Sequence, residues 1–259
     1  SSVIQGLLGR ITTCLSGFLP PAVRRDLAPG TADRLLELAR AAQHGSDKQL
    51  QLVRALAAHA VTGEQLDVVA GLLEGSETLG KLDIDQDLRW DLLIGLVAAG
   101  RSGEEQIRAE EARDRTTTGH ERAAEARASI PTPEAKQATW RALVDDASMA
   151  NETQVRVLRG LTNVERRPEL LIPFVGTYVE AIDSVWSSRT FHMAENLLTG
   201  LWSCATVGLK GAGDPAAALT GWLESHAQAP AALRRIVREN LDDTLRVAKA
   251  QAAESQSKQ

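Results

Sequence analysis

The chain has 259 residues, 43% of them hydrophobic, with a formal net charge of -5 and a pI near 5.6. That is enough apolar material for one large domain or two closely packed ones. The acidic balance argues against nucleic acid as a partner, because a nucleic-acid domain carries a basic surplus to displace counterions. Ala and Leu dominate the apolar residues and aromatics make up only 3%, a bias towards helix over strand. The apolar runs fall far short of the 18 or more residues that span a bilayer, so no membrane partner is expected. Ser1 opens with neither Met nor a basic-then-apolar leader, so no signal peptide is visible and a segment of a longer polypeptide is expected.

Period 3.6 recurs along the chain and period 2 hardly at all. The first expected helix runs from Ser2 to about Gly17 and closes at Pro20-Pro21. Thr31 is read as the N-cap of a helix carrying Leu35, Leu36, Leu38 and Ala39 and ending near Gly45. Ser46 or Asp47 caps the next, with Leu50, Val53, Leu56 and Ala57 on one face, and Gly63 to Gly75 encloses another. Asp85 opens a helix apolar over most of its circumference, Leu88 to Val97 around Trp90, with Gly100 past its end. Such a helix must be covered on more than one side.

From Gly103 to Arg127 the sequence turns charged and alanine-rich, with Glu104 four residues before Arg108. It reads as an exposed helix pair held by weak surface ion pairs, and the sequence leaves open one continuous solenoid or two subdomains meeting near 103-130. Thr132-Pro133 caps a helix with Trp140 and Leu143, and Asn151 or Thr153 starts the next. Helical spacing continues through Phe174 to Trp186 and Phe191 to Leu201, and Asp214-Pro215 opens a helix with Leu219 and Trp222. Leu233, Val237, Leu241 and Leu245 form the stripe of a final helix, with 252–259 read as a disordered tail. About a dozen helices with short links favour antiparallel neighbours. The fold expectation is all-α: an irregular right-handed α-solenoid of antiparallel HEAT-like pairs over 1–251, without a clean repeat period.

No complete catalytic constellation accompanies this pattern. His120-Glu121 starts a zinc-binding His-Glu-x-x-His, but Ala124 stands where the second histidine belongs. His59 and His192 lie on largely apolar helices and read as packed, hydrogen-bonded side chains; His44 and His226 belong to no motif. Cys14 and Cys204, 190 residues apart, read as buried free thiols of a reducing compartment. Gly208 to Gly213 is glycine-rich but follows a helix, and so reads as a connector rather than a phosphate loop. Asp145-Asp146 and Asp242-Asp243 point about 100° apart on a helix and make no acid–base dyad. The doublets Arg24-Arg25, Arg166-Arg167 and Arg234-Arg235 read as solvated surface. No catalytic, cofactor-binding or metal-ligating residue is assigned.

An ordered set of segments carries a resemblance: Thr118–Ala128, Pro131–Lys136, Ala138-Thr-Trp140, Arg167–Phe174 with Tyr178, Ala181–Trp186 and Ser188–Phe191, flanked by Asp85–Trp90 and Pro230–Val237. Together they resemble the C-terminal helical region of bacterial, especially actinobacterial, aminopeptidase N. The resemblance implies a parent gluzincin peptidase whose zinc sits in a separate thermolysin-like domain with HExxH and G-x-M-E-N motifs. Neither motif is present here; Met193-Ala-Glu-Asn196 is a near miss inside a helix. Implied partners are the catalytic domain of the same polypeptide, against which Ile4, Leu7, Leu8 and Ile11 would pack, and peptide substrates, whose access the helical wall would gate. Implied cofactors are none in this chain and zinc in the parent, and the implied location is cytoplasmic. A free-standing α-solenoid scaffold is the alternative.

Overall fold

The computed structural model describes residues 2–256, and among these the chain is all-helical with no strand. Helix α1 (Ser2–Thr13) runs into a π-helical turn, Cys14–Phe18. Then follow α2 (Pro21–Ala41), α3 (Asp47–His59), α4 (Gly63–Glu74), α5 (Gln86–Ala98), α6 (Glu104–Arg113) and α7 (Thr117–Ala128). The second half holds α8 (Pro133–Asp145), α9 (Asn151–Thr162), α10 (Phe174–Ser188), α11 (Phe191–Gly200), α12 (Pro215–Ser225) and α13 (Ala231–Gln256). Short 3-10 turns at Pro168–Leu171 and Cys204–Thr206 precede α10 and α12.

From α2 onward each even helix packs on the odd helix after it, giving six hairpins from α2–α3 to α12–α13. The odd helices also stack on one another in sequence, α3 on α5, then α7, α9, α11 and α13, as one layer of a helical solenoid. The π-helical turn packs on α13, where the Gln251 side-chain amide donates to the Gly17 carbonyl at 2.7 Å. Two large apolar clusters, one in α2–α5 and one from the end of α7 to α13, flank a smaller one around Trp90 and Ile107.

Local chemistry explains most of the boundaries. Ser46, Asp85, Thr132 and Asp214 each accept a backbone N–H in the first turn of the helix they open. Thr62 and Gln65 form a reciprocal capping box at α4. Thr31 does not cap a helix: α2 runs unbroken through Pro29 to Ala41. Proline removes one helical donor there, and the surroundings brace the turn. The Thr31 hydroxyl donates to Leu27 O at 2.9 Å, and the Gln65 amide donates to Pro29 O at 2.9 Å and to Asp33 at 2.6 Å. At the other end α13 runs to Gln256, so residues 252–256 are helical; the remaining expected tail residues, 257–259, lie outside the described residues.

The charged stretch from Gly103 to Arg127 is not an exposed pair. Glu110, Asp114, Arg122 and Glu125 are all buried. Arg89 holds Glu110 with two bonds of 2.8 and 2.7 Å, and Gln86 adds a third at 2.8 Å. Burial opposes the Glu110 charge, but these bonds hold its carboxyl below the ordinary range. Asp114, lowered by the Thr116 hydroxyl against the cost of burial, also accepts the Trp90 indole N–H at 2.9 Å. Side chains that read as solvated face inward because α5 brings complementary partners, which composition alone does not reveal.

Inward-turned donors also complete helix C-termini, whose last carbonyls lack intrahelical partners. Lys136 donates to Ala128 O at 2.7 Å and Gly160 O at 2.8 Å, tying the ends of α7 and α9. Arg166 donates to Ala60 O at 2.6 Å and Ala57 O at 3.1 Å at the end of α3. Arg189 donates to Leu143 O at 2.8 Å and Val144 O at 2.7 Å at the end of α8. At the ends closed by Arg166 and Arg189 the helix dipole adds to these bonds.

Candidate functional site: two cavities and the carboxylate between them

The inner layer of odd helices lines a cavity of about 440 Å³. Arg54, Asp91, Arg122 and Glu125 on its wall belong to a chain of alternating charges. Arg54 lies 2.8 Å from Asp91, Asp91 pairs with Arg122, and Glu125 takes Arg122 at 2.8 Å and Arg156 at 3.3 Å. Four helices (α3, α5, α7 and α9) are thereby cross-tied by three arginines and two carboxylates.

A larger cavity, about 930 Å³, opens between the first half of α2 and the C-terminal ends of the inner helices. Leu15, Pro29, Leu66, Ile172 and Leu209 give it apolar walls, while Arg24, Arg25, Arg166 and Lys210 face only Glu165 and Glu169 as carboxylates. Arg24 is 6% exposed. Its guanidinium makes two long bonds, 3.3 Å each, to Ser16 O and Ala205 O, and its buried Nε has no hydrogen-bond partner. Burial pulls the Arg24 and Arg166 pKa values down, with Glu165 opposing the fall in both. A buried guanidinium with an unsatisfied N–H in a cation-rich cavity favours an anion, and apolar walls favour one carried on an apolar body.

Glu165 belongs to both cavities. Both its oxygens lie 2.8 Å from Nδ1 of His59, and Nε2 of His59 lies 3.0 Å from the Thr12 hydroxyl of α1. The order hydroxyl–imidazole–carboxylate is that of a nucleophilic triad. Thr12, however, donates its hydroxyl hydrogen to Leu8 O at 3.2 Å, so the arrangement is a tie joining α1, α3 and the 163–167 loop.

Of the histidines, His59 is buried and hydrogen-bonded as expected, but His192 is exposed beside Asn196 at 3.3 Å. Its turn of α11 points away from the core, as does Phe191 before it. His120 is exposed and sits 3.0 Å from Glu111. His226 stacks on Trp222 with ring centres 4.5 Å apart and lies 3.2 Å from Asp183, whereas exposed His44 lies over Gly80. Among the described residues no group of three or more His, Cys, Asp or Glu could hold a metal ion. The expectation of two buried thiols fails at Cys14, which is exposed because α1 and its π-helical extension are covered on one side only; Cys204 is partly buried. Met193 to Asn196 lies within α11, and Gly208 to Gly213 is a connector. The arginine doublets divide: Arg24 and Arg166 turn inward while Arg25 and Arg167 stay exposed. In Arg234-Arg235, Arg235 is exposed and pairs with Glu195 at 2.6 Å and Glu239 at 3.0 Å.

No described helix is long and apolar enough to cross a membrane. The model of the ERAP1-like C-terminal domain family matches residues 1–246. Over 253 residues the chain is 37% identical to aminopeptidase N of Streptomyces lividans, a match covering 98% of this chain and 29% of that protein. With the six-hairpin solenoid and a match along nearly its whole length, the chain belongs to the ERAP1-like C-terminal domain family.

Proposed function

We propose that the chain is the non-catalytic C-terminal wall of a zinc aminopeptidase, packing over a catalytic domain of the same polypeptide and limiting which peptides enter its chamber. The similarity to an aminopeptidase N of which it spans 29% supports this reading. So does the solenoid, whose stacked layer of odd helices is an extended helical surface. Zinc chemistry then belongs to the HExxH domain of the parent, and no step of it is assigned to residues here.

The observation that carries a role in substrate contact is Arg24, buried and incompletely partnered in the larger cavity. A peptide whose amino end is being cleaved elsewhere presents, at its far end, a carboxylate on an apolar or polar residue. That is the chemistry the cavity favours. Helix α1 suits packing on the catalytic part: Val3 is 73% and Leu7 54% exposed, with Ile4, Leu8 and Ile11 half-buried along the same helix. The two free cysteines fit a cytoplasmic setting.

Incubating the purified chain with zinc and an alanyl p-nitroanilide tests the division of labour. No release above buffer is expected, whereas the polypeptide with an upstream HExxH domain should turn over. Zinc-dependent turnover by this chain alone would defeat the reading. A free-standing scaffold would instead have no such domain encoded ahead of it.

A further inference from the structure

Glu165 is the one residue, among those described, that lines both cavities. On one side it serves as counter-charge to Arg24 and Arg166; on the other both its oxygens engage His59, which is 2% exposed. His59 in turn reaches Thr12 across to α1. Helix α1 is the least anchored element: none of its described side chains is buried, and its helix-to-helix packing is against α3. Elements with few buried contacts undock at low cost. The Thr12–His59 bond is its polar tie to the body.

We propose that Glu165 couples occupancy of the larger cavity to the docking of α1, so that an anion bound beside Arg24 and Arg166 tightens α1 against α3. Glu165 turns both oxygens to His59 at 2.8 Å and acts on Arg24 and Arg166 through its charge alone. A carboxylate ligand supplies the arginines with their own counter-charge and repels Glu165 towards His59. His59 is then held more firmly, and with it Thr12. Coupling of this kind is reciprocal: whatever loosens α1 weakens the anion by the same factor. The device thus links an occupied cavity to the position of the helix that carries the exposed apolar stripe. It rests on the anion reading of the cavity, and the test separates the two.

The experiment is hydrogen–deuterium exchange of residues 4–13 in the whole chain, with N-acetyl-leucine as the anion and its binding followed by calorimetry. Wild type should bind the acid and slow exchange in α1 by about fivefold, a typical coupling factor. Thr12→Val, which leaves the cavity untouched, should weaken binding by the same factor. Glu165→Gln and His59→Gln, without ligand, should raise α1 exchange to the Thr12→Val level while the α9 amides stay protected, which also reports that the variants are folded. Binding with no change in α1 overturns the coupling and leaves the anion reading standing. No binding to wild type ends the anion reading and with it the ligand-driven coupling. Unaltered α1 exchange in Glu165→Gln and His59→Gln shows that no tie exists.

Discussion

The Lys136 ammonium lies 2.8 Å from the Gly160 carbonyl and 2.7 Å from that of Ala128, so one fully buried side chain closes the ends of α7 and α9. Burial lowers its pKa from 10.5 to about 7. Between about pH 7 and 10.5 the unfolded chain holds a proton that the native state has released, so folding stability rises with pH across that window. Below about 7 the native state bears the full cost of the buried charge. Lys136→Met lacks this ionisation but leaves two buried carbonyls without a donor, at about 1–3 kcal/mol each. The wild-type advantage in Tm over Lys136→Met should grow from pH 6 to pH 9, and a flat difference would refute the account.

Backbones approach closely where the inner layer stacks. A Cβ on Gly95 would lie 2.3 Å from Ala57 O, and one on Gly160 would lie 2.3 Å from Glu125 O and 2.5 Å from Ala128 Cβ. Both glycines are helical, so propensity alone would make alanine stabilising by about 1 kcal/mol. Steric exclusion should reverse that sign. Gly95→Ala and Gly160→Ala should each lower stability in chemical denaturation by about 2 kcal/mol or more, the scale of overpacking, while Gly6→Ala, which meets nothing within 4 Å, should not.

Arg89 and Glu110 form a two-bond pair beneath α6. Arg89→Ala would leave a buried carboxylate with Gln86 as its remaining close donor and the distant Arg113 at 3.9 Å. A loss of about 3 kcal/mol is expected in urea unfolding. The double variant Arg89→Met with Glu110→Leu should recover much of it, because removing both charges also removes the desolvation cost.

Tyr178, Asn240 and Leu198 close a buried triangle across α10, α11 and α13: the phenol donates to Leu198 O at 2.8 Å, and the Asn240 amide donates to the phenol at 2.8 Å and to Leu198 O at 3.0 Å. Burial raises the phenol pKa well above its ordinary value. Tyr178→Phe should cost about 1–2 kcal/mol, because the amide keeps one acceptor. Asn240→Leu should cost more, since a branched apolar group must displace both bonds. Thermal unfolding of the two variants orders them.

Helix boundaries were written in local chemistry, so Ser46, Asp85, Thr132 and Asp214 could be read as starts without a fold. Thr31 misled because Pro29 beside Gly30 looks like a break, and the Gln65 amide that braces it comes from α4. Antiparallel pairing of neighbours followed from short links, but the facing of polar side chains did not. Arg24 differs from Arg25, and Arg166 from Arg167, only by about 100° of rotation or a turn of loop, and which one enters the cavity depends on elements far along the chain. The segments resembling aminopeptidase N pointed to the family, while Glu165 lay in none of them and became visible only when His59 and Arg24 were placed around it.

The role assigned to the larger cavity predicts a preference for a free carboxyl end. Competition binding to the purified chain, comparing an apolar-ended peptide as its free acid and as its C-terminal amide, reads that preference. The acid should bind about tenfold more tightly, the worth of one charge-assisted hydrogen bond, and Arg24→Gln should erase the difference. Equal affinity of acid and amide in the wild-type chain, or an advantage for the amide, would contradict the account.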